Sequence, residues 1–137
     1  MDAFDADVII YTAAADHPLG LRVAGLFRRS HGAFAGVGSV LLIPEVLSKP
    51  LRDGGTAEVR MLAGLLGRLD LRPVDRATTE LATALAVKYG LKAADATHLA
   101  TAVTVGADRF LTNNRRDFPP TVSEVRVTYP ADIPDET

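Results

Sequence analysis

Lys92-Ala-Ala-Asp95-Ala-Thr-His98-Leu-Ala-Thr-Ala102 is the stretch on which the reading of this chain turns, because it sets one carboxylate inside an otherwise apolar, small-residue helix. An ionised Asp enters a core only when something pairs with it, coordinates it or hydrogen-bonds to it. A helix starting near Lys92 or Ala93 puts Asp95 in its first turn, where free backbone N–H groups and the helix dipole favour negative charge. For an isolated Asp that position is reason enough. Three further acids weigh against so simple an account: Asp5 near the start, Glu45 behind the apolar run Val40-Leu-Leu-Ile43, and Asp117 after Phe110-Leu-Thr112. Each lies where an element ends or begins, and carboxylates delivered to one edge of a parallel sheet are a usual layout for a divalent-metal site.

Outward from that helix, which the pattern carries to about Val105, strands are expected over 108–112 and 125–129. Before it, residues 71–74 read as a strand, and Asp75 as the N-cap of a helix to Tyr89 that Gly90 stops. At the start, residues 3–5 read as a very short strand, and Val8-Ile-Ile-Tyr11 is too short for periodicity to separate helix from strand. A helix over 19–30 follows, with Val23, Leu26 and Phe27 inward and Gly32 closing it. Residues 33–37 read as a small buried strand, and Ser39 as the N-cap of the helix carrying Glu45, which is kinked at Pro44 or starts there. Asp53-Gly54-Gly55 is a turn into a helix over 56–67 with more apolar positions than one inward stripe requires. Strands alternating with helices imply parallel βαβ units, hence a three-layer α/β/α sandwich around a short, mostly parallel sheet.

The 137 residues, 47% of them apolar, suit a single domain over 1–129, with a Pro- and acid-containing tail over 130–137 expected to be mobile. Cysteine is absent, so neither a disulfide framework nor a thiolate metal site is available. The acidic first residues offer no signal-peptide pattern and no apolar run reaches membrane-spanning length, so a soluble, cytoplasmic protein without membrane contact is expected. A formal charge of −2 excludes a generally basic coat, and any nucleic-acid binding must rest on local patches.

In a parallel sheet the loops and helix starts beyond the carboxyl ends of the strands form one crevice, and Asp5, Glu45, Asp95 and Asp117 can all reach it. Four carboxylates brought together raise one another's pKa values, a conflict that a bound Mg²⁺ or Mn²⁺ removes. The chemistry implied is phosphodiester hydrolysis by a metal-activated water. Asp5-Ala-Asp-Val-Ile-Ile-Tyr11, Ser39 with Pro44-Glu45-Val-Leu, Ala94-Asp95-Ala-Thr-His98-Leu-Ala-Thr-Ala and Leu111-Thr-Asn-Asn-Arg-Arg-Asp117-Phe resemble, in order and spacing, the four motifs of PIN-domain ribonucleases. VapC-type toxins of prokaryotic toxin–antitoxin pairs are the closest group. The resemblance runs from about Phe4 to Phe118. It implies a metal-binding set of Asp5, Glu45, Asp95 and a fourth acid late in the chain, endoribonuclease activity on RNA, a homodimer, and inhibition by a small antitoxin protein.

Two positions depart from the pattern. Where the family often has Thr or Ser and then Asn after its first Asp, this chain has Ala6 and Asp7, and Asp7 either adds a carboxylate or caps the following helix. Where the family often has Thr-Asn-Asp, this chain has Thr112-Asn113-Asn114, so the fourth acid is either absent or supplied by Asp117. Asp7, Ser39, Thr112 and Asn114 are candidates to support the ligands from behind, and Arg115 and Arg116 to hold RNA phosphates or remain solvated loop charges. His98, one turn from Asp95, reads as a packed or helix-bonded residue more readily than as a ligand. His17 and His31 form no spaced metal motif. Two alternatives stay open: Phe4-Asp5-Ala-Asp7-Val8 also fits the start of haloacid-dehalogenase-like phosphatases, with Asp5 as phosphoryl acceptor, and Asn114 is compatible with a PIN-like binding module of weak or no activity.

Overall fold

The computed structural model describes residues 1–14 and 16–134. Along the chain run β1 (Asp2–Phe4), α1 (Ala6–Ala13), α2 (Pro18–Arg29), β2 (Gly36–Ser39), α3 (Leu42–Arg52) and α4 (Thr56–Leu66). Then follow β3 (Leu69–Arg72), α5 (Arg76–Tyr89), α6 (Ala93–Thr104), β4 (Arg109–Leu111), β5 (Arg126–Thr128) and a 3₁₀ turn at Pro130–Asp132. The strands form one parallel sheet in the order β3-β2-β1-β4-β5. Successive strands grow to one side from β1 and then restart on its other side, so the order reverses between β1 and β4. Ligands collect outside the carboxyl ends of the strands at such a point.

Strand alternation sorts the core into two halves. Ala3, Val37 and Phe110 turn toward α5 and α6, where Leu85, Leu99 and Ala100 meet them. Phe4, Leu69 and Leu111 turn the other way, onto Val8 and Ile9 of α1, Phe27 of α2, Leu42 of α3 and Leu62 of α4. Because side chains alternate with period two, the pairings Ala3↔Phe110 and Phe4↔Leu111 align like faces. Arg109 donates to both carboxylate oxygens of Asp2 at 2.9 Å, pinning that register at the amino end. The result is the three-layer α/β/α sandwich that the alternation of elements implies. Among the described residues, no helix is long and apolar enough to cross a membrane.

Several boundaries differ from the sequence reading, each for a local reason. Residues 8–11 are helical, because Asp5 caps α1 by accepting from Ala6 N–H. The second strand is Gly36–Ser39 and not 33–37: Phe34 stays half exposed, while Gly36 and Gly38 fit where a side chain would not. A Cβ on Gly36 would lie 2.4 Å from the Asp2 carbonyl oxygen. Ser39 does not cap α3; it ends β2, and its hydroxyl accepts from Leu41 N–H two residues on, so α3 begins at Leu42 with Pro44 in its first turn. There Pro lacks only a donor that has no helical partner. Ser30, not Gly32, is the C-cap of α2. The third strand lies at Leu69–Arg72 and stops before Pro73. Asp75 and Gly90 bound α5 as read, Gly90 with φ of 66°. Of the tail expected to be mobile, Ile133 is 1% exposed in the second core half and its carbonyl accepts from Arg22 at 2.6 Å, so the chain is docked that far; residues 135–137 lie outside the described residues.

Candidate active site

At the β1–β4 reversal a cleft of about 240 Å³ is lined by Asp5, Ala6, Asp7, Ile10, Glu45, Asp95 and Asn114. Each acid arrives there for a reason visible in its own element. Asp5 is the last link of the β1 ladder, its N–H donating to Leu111 carbonyl at 2.9 Å, and already the cap of α1 through Oδ1. Its Oδ2 accepts the Thr112 hydroxyl at 2.8 Å, and that hydroxyl accepts Asn114 N–H in turn. Asp5 is 5% exposed, so its carboxylate is rigid and faces the cleft from the sheet edge. Asp95 stands in the first turn of α6, and Glu45 in the first turn of α3.

Asp7 is not the helix cap. It lies in the first turn of α1, where Oδ2 accepts Asn113 N–H at 3.0 Å, fixing the loop after β4, while Oδ1 is buried and finds no partner among the described residues. Asn114 lines the cleft and Asp117 sits behind it: Asn114 Nδ2 donates to Asp117 Oδ2 at 2.9 Å, and Asp117 N–H donates back to Asn114 Oδ1 at 3.2 Å. The Asp117 charge still reaches the site, because it is one of those that raise the Asp95 pKa. Ser39 lies outside the cleft lining and braces the chain into α3, the helix that carries Glu45. Arg115 and Arg116 are exposed on the adjoining loop, and the Arg115 guanidinium lies 4.1 Å from the centre of the Tyr129 ring. His17 caps α2 by accepting from Leu19 N–H at 3.2 Å.

The sequence reading missed a contact 53 positions long. His98 Nε2 meets Glu45 Oε1 at 2.5 Å, and the His98 side chain is fully buried. Only the three-residue spacing from Asp95, which puts both on one face of α6, hinted at it.

Electrostatics mark the cleft as short of positive charge. Burial pushes the Asp5 carboxyl up, more than the His98 ring, the Thr112 hydroxyl and Ala6 N–H pull it down. Burial and then the Asp5 charge carry Asp7 to about 7. Asp95 is raised by burial, then by Asp5, Asp117 and Glu45. For His98 burial works downward, but the Glu45 hydrogen bond with the Asp5, Glu45 and Asp95 charges raises it overall. Among the described residues no three His, Asp or Glu side chains converge closely enough to enclose an ion as they stand. The donors are all hard oxygens, which suits Mg²⁺ or Mn²⁺, and Mg²⁺ is commonly held by one or two carboxylates while keeping several waters. A larger hollow of about 450 Å³ between α5 and α6 is walled by residues such as Ala82, Val87 and Thr97 and offers no titratable group.

The fold and part of the sequence have counterparts. A chain described as a toxin–antitoxin complex from Klebsiella pneumoniae superposes with a TM-score of 0.74 at 21% identity, covering 95% of this chain and 98% of that one. A chain of VapBC2 from Rickettsia felis, bound to a DNA fragment from its promoter, gives 0.71 at 13% identity, covering 93% and 97%. At these identities the likeness is one of fold. No curated relative matches the sequence. The PIN domain family model matches residues 3–121, a span that takes in Asp5, Glu45, Asp95 and Asp117, and leaves the phosphatase alternative without support. This chain therefore belongs to the PIN domain family.

Proposed function

We propose that this chain is a divalent-metal-dependent endoribonuclease, the toxin of a VapC-type toxin–antitoxin pair, with Asp5, Glu45, Asp95 and Asp117 as its acidic set. The observation that carries the reading is the gathering of Asp5, Glu45 and Asp95 with Asn114 in one cleft at the strand-order reversal. Membership of the PIN domain family supports the nuclease class, and the toxin–antitoxin origin of both structural counterparts supports a small antitoxin as partner.

When bound, Mg²⁺ or Mn²⁺ supplies a Lewis acid that polarises the phosphodiester and lowers the pKa of an attacking water. The chain's own residues do the rest. Asp5, held by Thr112 and Ala6, offers a carboxylate that loses little freedom on ligation. Asp95 and Glu45 face it from two helices, and Asp117 adds negative charge from behind Asn114 while orienting its amide. Arg115 and Arg116 attract the RNA backbone to the loop beside the acids. No Ser or Cys nucleophile is needed, in keeping with the absence of Cys.

We further propose a homodimer, an antitoxin contact, or both, through α3 and α4, where Ile43, Leu51 and Met61 are exposed. The test of the activity is incubation of the purified chain with single-stranded and loop-containing RNA. Cleavage is expected in Mg²⁺ or Mn²⁺ and its loss in EDTA; cleavage undiminished by EDTA would overturn the reading.

A further inference from the structure

We propose that His98 is a positioning residue for Glu45, so that α6 sets both the Asp95 carboxylate and the place of the carboxylate opposite it. The inference rests on the metal-site reading above and deepens it. Glu45 is the most exposed of the cleft acids: its side chain is 35% exposed, and its neighbours Ile43 and Pro44 are exposed too. Asp5 is gripped by two hydrogen bonds, whereas the side chain of Glu45 finds one hydrogen-bonding partner among the described residues, His98. A long acid on a helix surface has several rotamers open to it, and one buried donor selects among them.

His98 is suited to that task. Its side chain is fully buried, and Thr97, Leu99, Ala100 and Thr101 beside it are buried as well, so the ring cannot swing with solvent. A carboxylate only accepts, so the shared proton lies on Nε2. Packing alone does not explain the residue. Its Nδ1 is buried without a partner among the described residues, and a Leu would fill the space with no such cost. The Glu45 contact is what a His gives there and a Leu does not. Groups that orient a metal ligand from behind change metal affinity by roughly 10–100-fold when removed.

The test is Mn²⁺ titration of the full chain, free of other metals, by calorimetry, with thermal melts on every variant. The wild type should bind; His98→Leu should bind about 10–100-fold more weakly. His98→Gln, whose amide can still donate to Glu45, should stay within about threefold of wild type by the same logic. In a Glu45→Ala background, which has neither acceptor nor ligand at that position, His98→Leu should cause no further loss, because the route through Glu45 is already cut. If His98→Leu does not fold, His98→Asn replaces it, its amide being too short to reach. Wild-type affinity in the His98→Leu or His98→Asn protein, or a loss that persists in full in the Glu45→Ala background, would overturn the positioning role and leave the metal site standing. Failure of the wild type to bind Mn²⁺ would overturn the metal site and this role with it.

Discussion

Asp7 shows how one residue ties local structure to the site. Its carboxylate holds the Asn113–Asn114 loop through Asn113 N–H, yet burial and the Asp5 charge carry its pKa from the ordinary 3.8 to about 7. The folded chain therefore binds this proton more tightly than the unfolded chain between those values. By linkage, the stability that Asp7 contributes is fullest below about pH 4 and is lost as pH rises through about 7, by roughly 2–4 kcal/mol. Metal-free protein should thus resist urea better at pH 5 than at pH 7.5, and Asp7→Asn should flatten that dependence. Urea midpoints at the two pH values check it; a wild type more stable at pH 7.5 would contradict it. If the charge at Asp5 and Asp95 serves the proposed metal, Asp5→Asn or Asp95→Asn should lower RNA cleavage at least about 100-fold without loss of thermal stability. Near-wild-type turnover in either variant would mean that the site is misassigned. Asp117→Asn should cost less, since Asp117 acts through Asn114 and at a distance on Asp95. The acids were legible because a carboxylate at an element end, inside apolar sequence, demands a reason. The His98–Glu45 pair was not, since a contact across 53 positions leaves no local trace.

Among the elements, α5 and α6 were readable nearly to the residue, having long periodic faces, a capping Asp75 and a left-handed Gly90. The shortest elements were not. Val8-Ile-Ile-Tyr11 is equally apolar as helix or strand, and the cap at Asp5 decides it. At residues 33–39 the apolar pattern pointed to Ala33, whereas strand placement follows the glycines that let β2 approach β1. This gives an element-scale test. A Cβ on Gly20 would lie 1.9 Å from the Tyr11 carbonyl oxygen, and one on Gly36 would strike β1. Gly20→Ala and Gly36→Ala should each destabilise the chain by about 1–3 kcal/mol or more, because backbone, not a yielding side chain, stands in the way. Gly64→Ala, at a helical position with open space, should be neutral or slightly stabilising. Equal urea midpoints for all three would contradict this packing.

For the whole molecule, the three-layer order follows from alternating strands and helices, but the sheet order does not, and it is the reversal beside β1 that turns scattered acids into a cleft. The apolar excess read on residues 56–67 resolves into Leu62 and Leu66, which are buried, and Met61, which faces outward with Leu51 and Ile43. If that face joins copies of the chain, sedimentation should find dimers that Leu51→Glu with Met61→Glu converts to monomers, while the melting temperature of the monomer barely changes. Monomer alone at high wild-type concentration would remove the dimer and leave the antitoxin as the face's candidate occupant. The proposed nuclease activity depends on a divalent ion held in the cleft among Asp5, Glu45 and Asp95. Diffraction from crystals soaked in Mn²⁺ decides it: an anomalous peak is expected in that cleft, lost in Asp95→Asn crystals, and a cleft without a peak at saturating Mn²⁺ would contradict it.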